Sequence, residues 1–148
     1  LCLRRQRHMC IRDRYKGAPI LYSLGNFIFQ NDTVKWQPSY NYDQVGLDHY
    51  NTPADFYDTR SDKGNRGFPG DPAYWQSVVA QIKFSGGNLD SLEVVPIDMG
   101  YGKPRSMTGR PLIASGTIAT QALSRIKDLS EAMGTAMSIN QNRGVVQI

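Results

Sequence analysis

Hydrophobic and polar positions divide the chain into an apolar run, an aromatic-rich middle, a strand pair and one amphipathic helix. Ile20 to Phe29 is the longest nearly continuous apolar stretch, rich in β-formers and interrupted only by Gly25-Asn26. With too few polar residues to make a wet face, it predicts a strand covered on both sides. Tyr15-Lys16-Gly17 before it reads as a turn, and Gly25-Asn26 as a break at the strand's end, where backbone can face a ligand. Further on, Val78, Ala80, Ile82 and Phe84 alternate with Ser77, Val79, Gln81 and Lys83, a strand with one strongly apolar face. Ser85-Gly86-Gly87-Asn88 is turn chemistry. Leu89 to Ile97 returns as the second strand of a hairpin, with Pro96 suited to a strand end or an edge.

Glycines and prolines from Gly100 to Pro111 predict an extended connector up to Ala114. Ser115 or Thr117 can then cap a helix. Ile118, Ala122, Ile126, Leu129 and Met133 recur at three or four residues, which places one apolar stripe on it. Gly134 supplies the stop. Met137 to Ile148 reads as two short strands around Gln141-Asn142-Arg143-Gly144.

Residues 31–75 show no sustained period. They hold nine of the fifteen aromatics, four prolines and seven aspartates against four basic residues. Such aromatic density argues against disorder. We expect an ordered insertion packed over the domain, with a short helix near Thr52–Tyr57 opened by Pro53. Ser61 to Gly67 is its most mobile part by composition.

Composition adds less than it first promises. The 148 residues are enough for one domain with a core. No stretch reaches the roughly 18 apolar residues of a membrane span. The net charge of +4 would suggest an anionic partner such as nucleic acid. However, residues 1–14 hold five of the seventeen basic residues and one of the thirteen acidic ones, which leaves twelve of each elsewhere. Both cysteines, Cys2 and Cys10, lie in the same piece, so they give no information on redox compartment. Met9 to Asp13 can be written ATG TGT ATA AGA GAC and, continued by the AG of Arg14, matches a transposon end used as a sequencing-library adapter. We therefore read residues 1–14 as non-native adapter or junction sequence. Residues 15–148 are then the native part, and no nucleic-acid partner is expected.

YKGAPILYSLGNFIFQ (15–30) resembles the C-terminal signature of the CapA-type family, the poly-γ-glutamate capsule biosynthesis proteins of the calcineurin-like metallophosphatase superfamily. GFPGDPAYWQSVVAQIKF, LEVVPIDMGYGKPR and GRPLIASGTIATQALSRIKDLSEAMGT follow in the family's order, so the resemblance covers residues 15–148. It implies an α/β (α+β) sandwich, of which this chain is the C-terminal part: mostly strands, one amphipathic helix and the insertion. The intact parent is implied to be a metal-dependent phosphoesterase-like protein of poly-γ-glutamate or capsule synthesis or export, at the cell envelope. Its partners would be an anionic polymer or phosphoester substrate and other capsule-synthesis proteins. In the superfamily a divalent metal pair activates water and clamps a phosphoryl group. The family's last metal motif, Gly-His-x-Pro-His, falls where residues 1–14 stand, and His8 has no such neighbours. No catalytic residue and no metal ligand is therefore expected here, and the chain alone is expected to be inactive.

The remaining substrate-contacting candidates are Ser23, Asn26, Arg105 and Arg110. Asn26 sits where the family pattern turns toward the metals; it either orients substrate or hydrogen-bonds its own turn. Lys103, Arg105 and Arg110 flank a Pro-containing connector, and Arg suits bidentate contact with phosphate or carboxylate. Three solvated surface charges are the plainer account. His49 stands alone outside residues 1–14, and the aspartates lack calcium-loop spacing. Trp36, Trp75 and the tyrosines either contact a polymer or pack the insertion onto the core. There is no Ser/His/Asp set, P-loop or dinucleotide fingerprint. Two readings result: a fragment of a metallophosphatase-like enzyme, or a non-catalytic anionic-polymer-binding or assembly component on the same scaffold.

Overall fold

The computed structural model describes residues 9–15, 18–29 and 33–147. Their elements, in chain order, are β1 (Met9–Tyr15), β2 (Ala18–Leu24), α1 (Ser39–Gln44), α2 (Pro53–Ser61), β3 (Gln76–Ser85), β4 (Asn88–Asp98), β5 (Leu112–Ile113), α3 (Gly116–Glu131), β6 (Met137–Asn140) and β7 (Arg143–Val146). The fold is α+β. An antiparallel sheet runs β3-β4-β7-β6, with β5 pairing the end of β4, and β1 and β2 form a separate antiparallel pair.

Alternation along β3 and β4 creates the core. Val78 on β3 and Leu92 and Val94 on β4 project to one side, where Leu123 and Ile126 of α3 meet them, with Met137 and Val146 closing the cluster. Burying each of these side chains contributes about 1.5–3 kcal/mol. Ala80, Leu21 and Leu24 pack against its edge. The apolar face of β3 is buried only where α3 covers it: Val78 is 2% exposed, but Phe84 at the far end is 65% exposed.

The β3–β4 hairpin turns at Ser85–Asn88 as the sequence requires. Pro96 differs from expectation, because it lies buried inside a central strand rather than at its end or edge. Its carbonyl accepts from the Ala114 N–H at 2.9 Å. In an extended strand the N and O of one residue point to the same side, so the missing donor faces away from β3. On that side β7 stops at Val94 and β5 starts at Ile97, and the proline nitrogen falls in the gap between them.

In α3 the buried stripe is Ala119, Ala122, Leu123, Ile126 and Ser130. It is rotated from the expected one: Ala122 and Ile126 belong to it, while Ile118, Leu129 and Met133 are half-buried on its flank. Small residues at 119 and 122 let the helix approach the sheet closely, and the Ser130 hydroxyl is satisfied by the Ile126 carbonyl at 2.6 Å. Ser115 is the N-cap residue, without a side-chain capping bond. At the other end the Thr135 N–H reaches the Ser130 carbonyl and the Gly134 N–H the Glu131 carbonyl, the paired bonds of a Schellman stop. The tail forms β6 and β7 as expected, but the turn is Gln141-Asn142 alone, because Arg143 and Gly144 belong to β7.

The 20–29 run also departs from expectation. β2 ends at Leu24 and is half-buried, not covered on both faces, and Tyr22, Phe27 and Ile28 are each more than half exposed. Its inner side meets the α3 core, and its outer side has no covering layer among the described residues. Lys16 and Gly17, of the expected turn, lie outside the described residues, as do residues 1–8 of the expected adapter; residues 9–14 belong to a strand paired with β2.

The 33–75 segment is ordered around helices and aromatic contacts. Thr52 caps α2 through a capping box with Asp55, and Pro53 occupies its first turn. Phe56 is buried between Tyr42 and Tyr57. Ser61 to Gly67 is a hydrogen-bonded turn, with Lys63 and Arg66 N–H groups on the Asp58 and Ser61 carbonyls.

One contact clamps the end of β2 to the connector. The Phe29 N–H donates to the Gly109 carbonyl at 3.0 Å, and the Gly109 N–H to the Met99 carbonyl at 2.8 Å. Gly109 has φ +78°, and a Cβ there would be driven into the Phe29 carbonyl. Gly64 has a similar φ, +88°, with open space around it. Gly109→Ala is expected to destabilise the chain by more than the roughly 1–3 kcal/mol of left-handed strain alone, and Gly64→Ala by no more than that strain. Urea unfolding of both variants checks this; equal losses would show that the Phe29 approach is not a constraint.

Candidate functional site

Where β2 ends, Gly25 turns the backbone with φ +88°, and Asn26 follows, half-buried. Ser77 of β3, 1% exposed, fixes this exit by donating its hydroxyl to the Leu24 carbonyl at 2.8 Å. Three residues after Asn26 comes Phe29, whose ring lies 5.1 Å from Trp75 and 5.7 Å from Phe68, centroid to centroid. The Trp75 indole N–H donates to the Pro69 carbonyl at 2.9 Å, and its own carbonyl accepts the Met99 N–H. Tyr101 donates its hydroxyl to the Gly70 carbonyl at 3.1 Å. The aromatic residues at the end of the insertion thus bind the β2 exit to the 99–109 loop, and packing accounts for Phe29, Phe68, Trp75 and Tyr101. Trp36, Tyr40 and Tyr50 are exposed, Trp36 at 86%.

The basic connector is divided. Asp98 closes β4 by accepting the Gly100 N–H at 2.7 Å, and its other oxygen holds Lys103 Nζ at 3.2 Å. Arg105 pairs with Asp58 of α2. Arg110 is exposed and directly follows Gly109. The fold therefore places Asn26 and Arg110 on two backbone stretches joined by the Phe29–Gly109 bond. It commits Lys103 and Arg105 to carboxylates of the chain itself. Ser23 lies back on β2, half-buried, at the register position opposite Cys10.

Among the described residues no three His, Cys, Asp or Glu side chains converge as a metal-binding group. Asp98 is occupied by Gly100 and Lys103, and His49 lies against the Tyr50 ring with 3.9 Å between centroids. The described residues do not fit the metal pair that the resemblance implies. Nor is any helix among the described residues long and apolar enough to cross a membrane.

A second polar cluster gave no motif in the sequence. Gln76, at the start of β3 and only 5% exposed, accepts from Arg125 Nη1 at 2.6 Å and donates from Nε2 to Gln121 Oε1 at 3.1 Å. Gln121, Ser124, Arg125 and Asp128 form one polar stripe of α3, facing Asp71–Ala73 across a groove of about 520 Å³. Their spacing of three and four residues was the available signal. What the sequence lacked was the buried Gln76 that joins the stripe to the sheet.

The chain is similar to two proteins of Sinorhizobium fredii, the uncharacterized proteins y4sH and y4uA, each 35% identical over 142 residues. The match takes in 90% of this chain but 30% of each relative, so the chain spans under a third of their length. No protein-family model matches it.

Among the described residues, a titration shift falls in α2, the helix whose Asp58 holds Arg105. The Thr52 backbone N–H, followed by its hydroxyl, holds the Asp55 carboxyl below the usual carboxylate range. A depressed carboxyl pKa means that the cap is fully formed above the ordinary value and is lost as pH falls through the lowered one. Carbon-detected NMR titration should show Asp55 titrating below the usual carboxylate range, and Thr52→Ala, which removes the hydroxyl but keeps the N–H, should return it part of the way. An unchanged Asp55 in that variant would contradict the hydroxyl's part in the cap.

Proposed function

We propose that this chain is the C-terminal part of a CapA-type protein with a calcineurin-like sandwich, whose intact form is a metal-dependent phosphoesterase-like component of poly-γ-glutamate or capsule synthesis or export. The observation that carries the reading is an open apolar sheet face. Phe27, Val79, Val95, Ile97, Leu112 and Ile113 line an uncovered groove on the side of the sheet away from α3, and Ile113 is 75% exposed. A contiguous apolar face of this kind marks a surface built to be covered. The relatives' greater length supplies a cover: the remainder of the parent, stacked as a second layer on this face.

In this reading the divalent pair and its Asp, Asn and His ligands belong to that remainder. The pair, when bound, would activate water and neutralise a phosphoryl group. This chain's own contribution is positional. Ser77 and the Phe29–Gly109 bond hold the β2 exit, so that the Asn26 amide and the Arg110 guanidinium are presented toward an anionic substrate, with Ser23 behind them. Arg105 can join them only by leaving Asp58.

A non-catalytic anionic-polymer-binding or assembly component on the same scaffold is the second reading, favoured by the exposed Trp36, Tyr40 and Tyr50. The upstream coding sequence separates the two, since a full Asp/Asn/His set favours the enzyme. Biochemically, the parent should hydrolyse a generic phosphoester such as p-nitrophenyl phosphate when manganese is added, and residues 15–148 alone should not. Arg110→Ala in the parent should lower kcat/KM by about tenfold, the loss of roughly 1.4 kcal/mol from one charged contact. Activity from residues 15–148 alone, or an inactive metal-loaded parent, would refute the enzymatic reading.

A further inference from the structure

The groove between α3 and the Asp71–Ala73 turn is lined by charges of both signs that do not neutralise one another. Arg125 contributes a guanidinium, and Asp71 and Asp128 contribute carboxylates. Among the described residues neither carboxylate comes within ion-pair distance of Arg125. Arg125 is held instead by a neutral group, the Oε1 of the buried Gln76. The Gln76 amide is in turn fixed at its other end by Gln121. A guanidinium has five N–H donors in a rigid plane, so the Gln76 contact anchors one of them and leaves further donors for a ligand. Gln121 uses its carbonyl oxygen on Gln76, which leaves its own NH2 as a donor beside Arg125. Asp71 uses one oxygen to cap the Ala73 N–H at 2.9 Å, and its second oxygen remains an acceptor.

These features select the ligand. A simple anion would gain Arg125 but meet two carboxylates. A simple cation would gain the carboxylates but meet Arg125. A small zwitterion satisfies both walls, and the pre-fixed guanidinium reduces the ordering cost of binding it. We propose that this groove binds the zwitterionic head of a free α-amino acid, with the carboxylate on Arg125 and Gln121 and the ammonium between Asp71 and Asp128. At about 520 Å³ the groove has the volume of a small-molecule site. It is open on its solvent side, so the amino acid's side chain would project outward and be weakly discriminated.

The test uses the full 148-residue chain and two-dimensional NMR, following the side-chain amide signals of Gln76 and Gln121. The probes are glycine, acetate and methylammonium. Glycine should give saturable shifts, with acetate and methylammonium each at least about tenfold weaker. Arg125→Gln should abolish the glycine response. Asp128→Asn, an exposed change that leaves the core untouched, should weaken glycine and strengthen acetate, a reversal that a merely structural role would not produce. Backbone amide spectra confirm that each variant is folded. Absence of saturable glycine shifts, acetate binding as tightly as glycine, or glycine binding unaffected by Arg125→Gln would each overturn the proposal.

Discussion

Burial of Leu92 and Val94 beneath Leu123 and Ile126 is the interaction on which the other parts of the structure lean. It fixes β4 as the central strand, with β3 on one side and β7 and β5 on the other. Once β4 is fixed, Asp98 and Met99 emerge at a defined point, and the loop from Met99 to Gly109 closes on itself. That closure in turn gives Phe29 its partner, and the aromatic end of the insertion folds down onto Phe29. The sequence of dependence runs from apolar packing to backbone hydrogen bonds and then to the placement of polar side chains. Losing Leu92 or Val94 would be felt at Asn26 and Arg110, although neither touches them.

Much of this was legible from pattern alone because the elements concerned are local. The 76–98 hairpin announces itself by period and by Ser85-Gly86-Gly87-Asn88. Pro53 and Thr52 mark the start of α2, and Gly134 marks the end of α3. Three features were not legible, each because a distant partner decides it. Pro96 tolerates a central strand only because β7 and β5 leave a gap beside it. The α3 stripe is rotated because Ala119 and Leu123, not Ile118 and Leu129, meet the sheet. The 20–29 run reads as doubly covered by composition, yet its second cover is not among the described residues. Of the candidate site, Asn26 and Arg110 gain a shared location, whereas Arg105 and Lys103 are drawn to Asp58 and Asp98 by contacts no local pattern encodes.

The uncovered face is then the most informative feature of the molecule. The sheet buries one side under α3 and leaves Val79, Leu112 and Ile113 exposed on the other, an apolar patch of the kind that marks an interaction surface. The two Sinorhizobium fredii relatives extend well beyond the matched residues. The central proposal is that the remainder of a longer protein covers this face and brings the reactive groups to the β2 exit. Hydrogen–deuterium exchange on the isolated chain and on the full-length parent tests it most directly. The account predicts that amides at Phe27, Val79, Leu112 and Ile113 become strongly protected in the parent, while those of Leu92 and Val94 are protected in both. Equal exchange of the open face in the two proteins would contradict it.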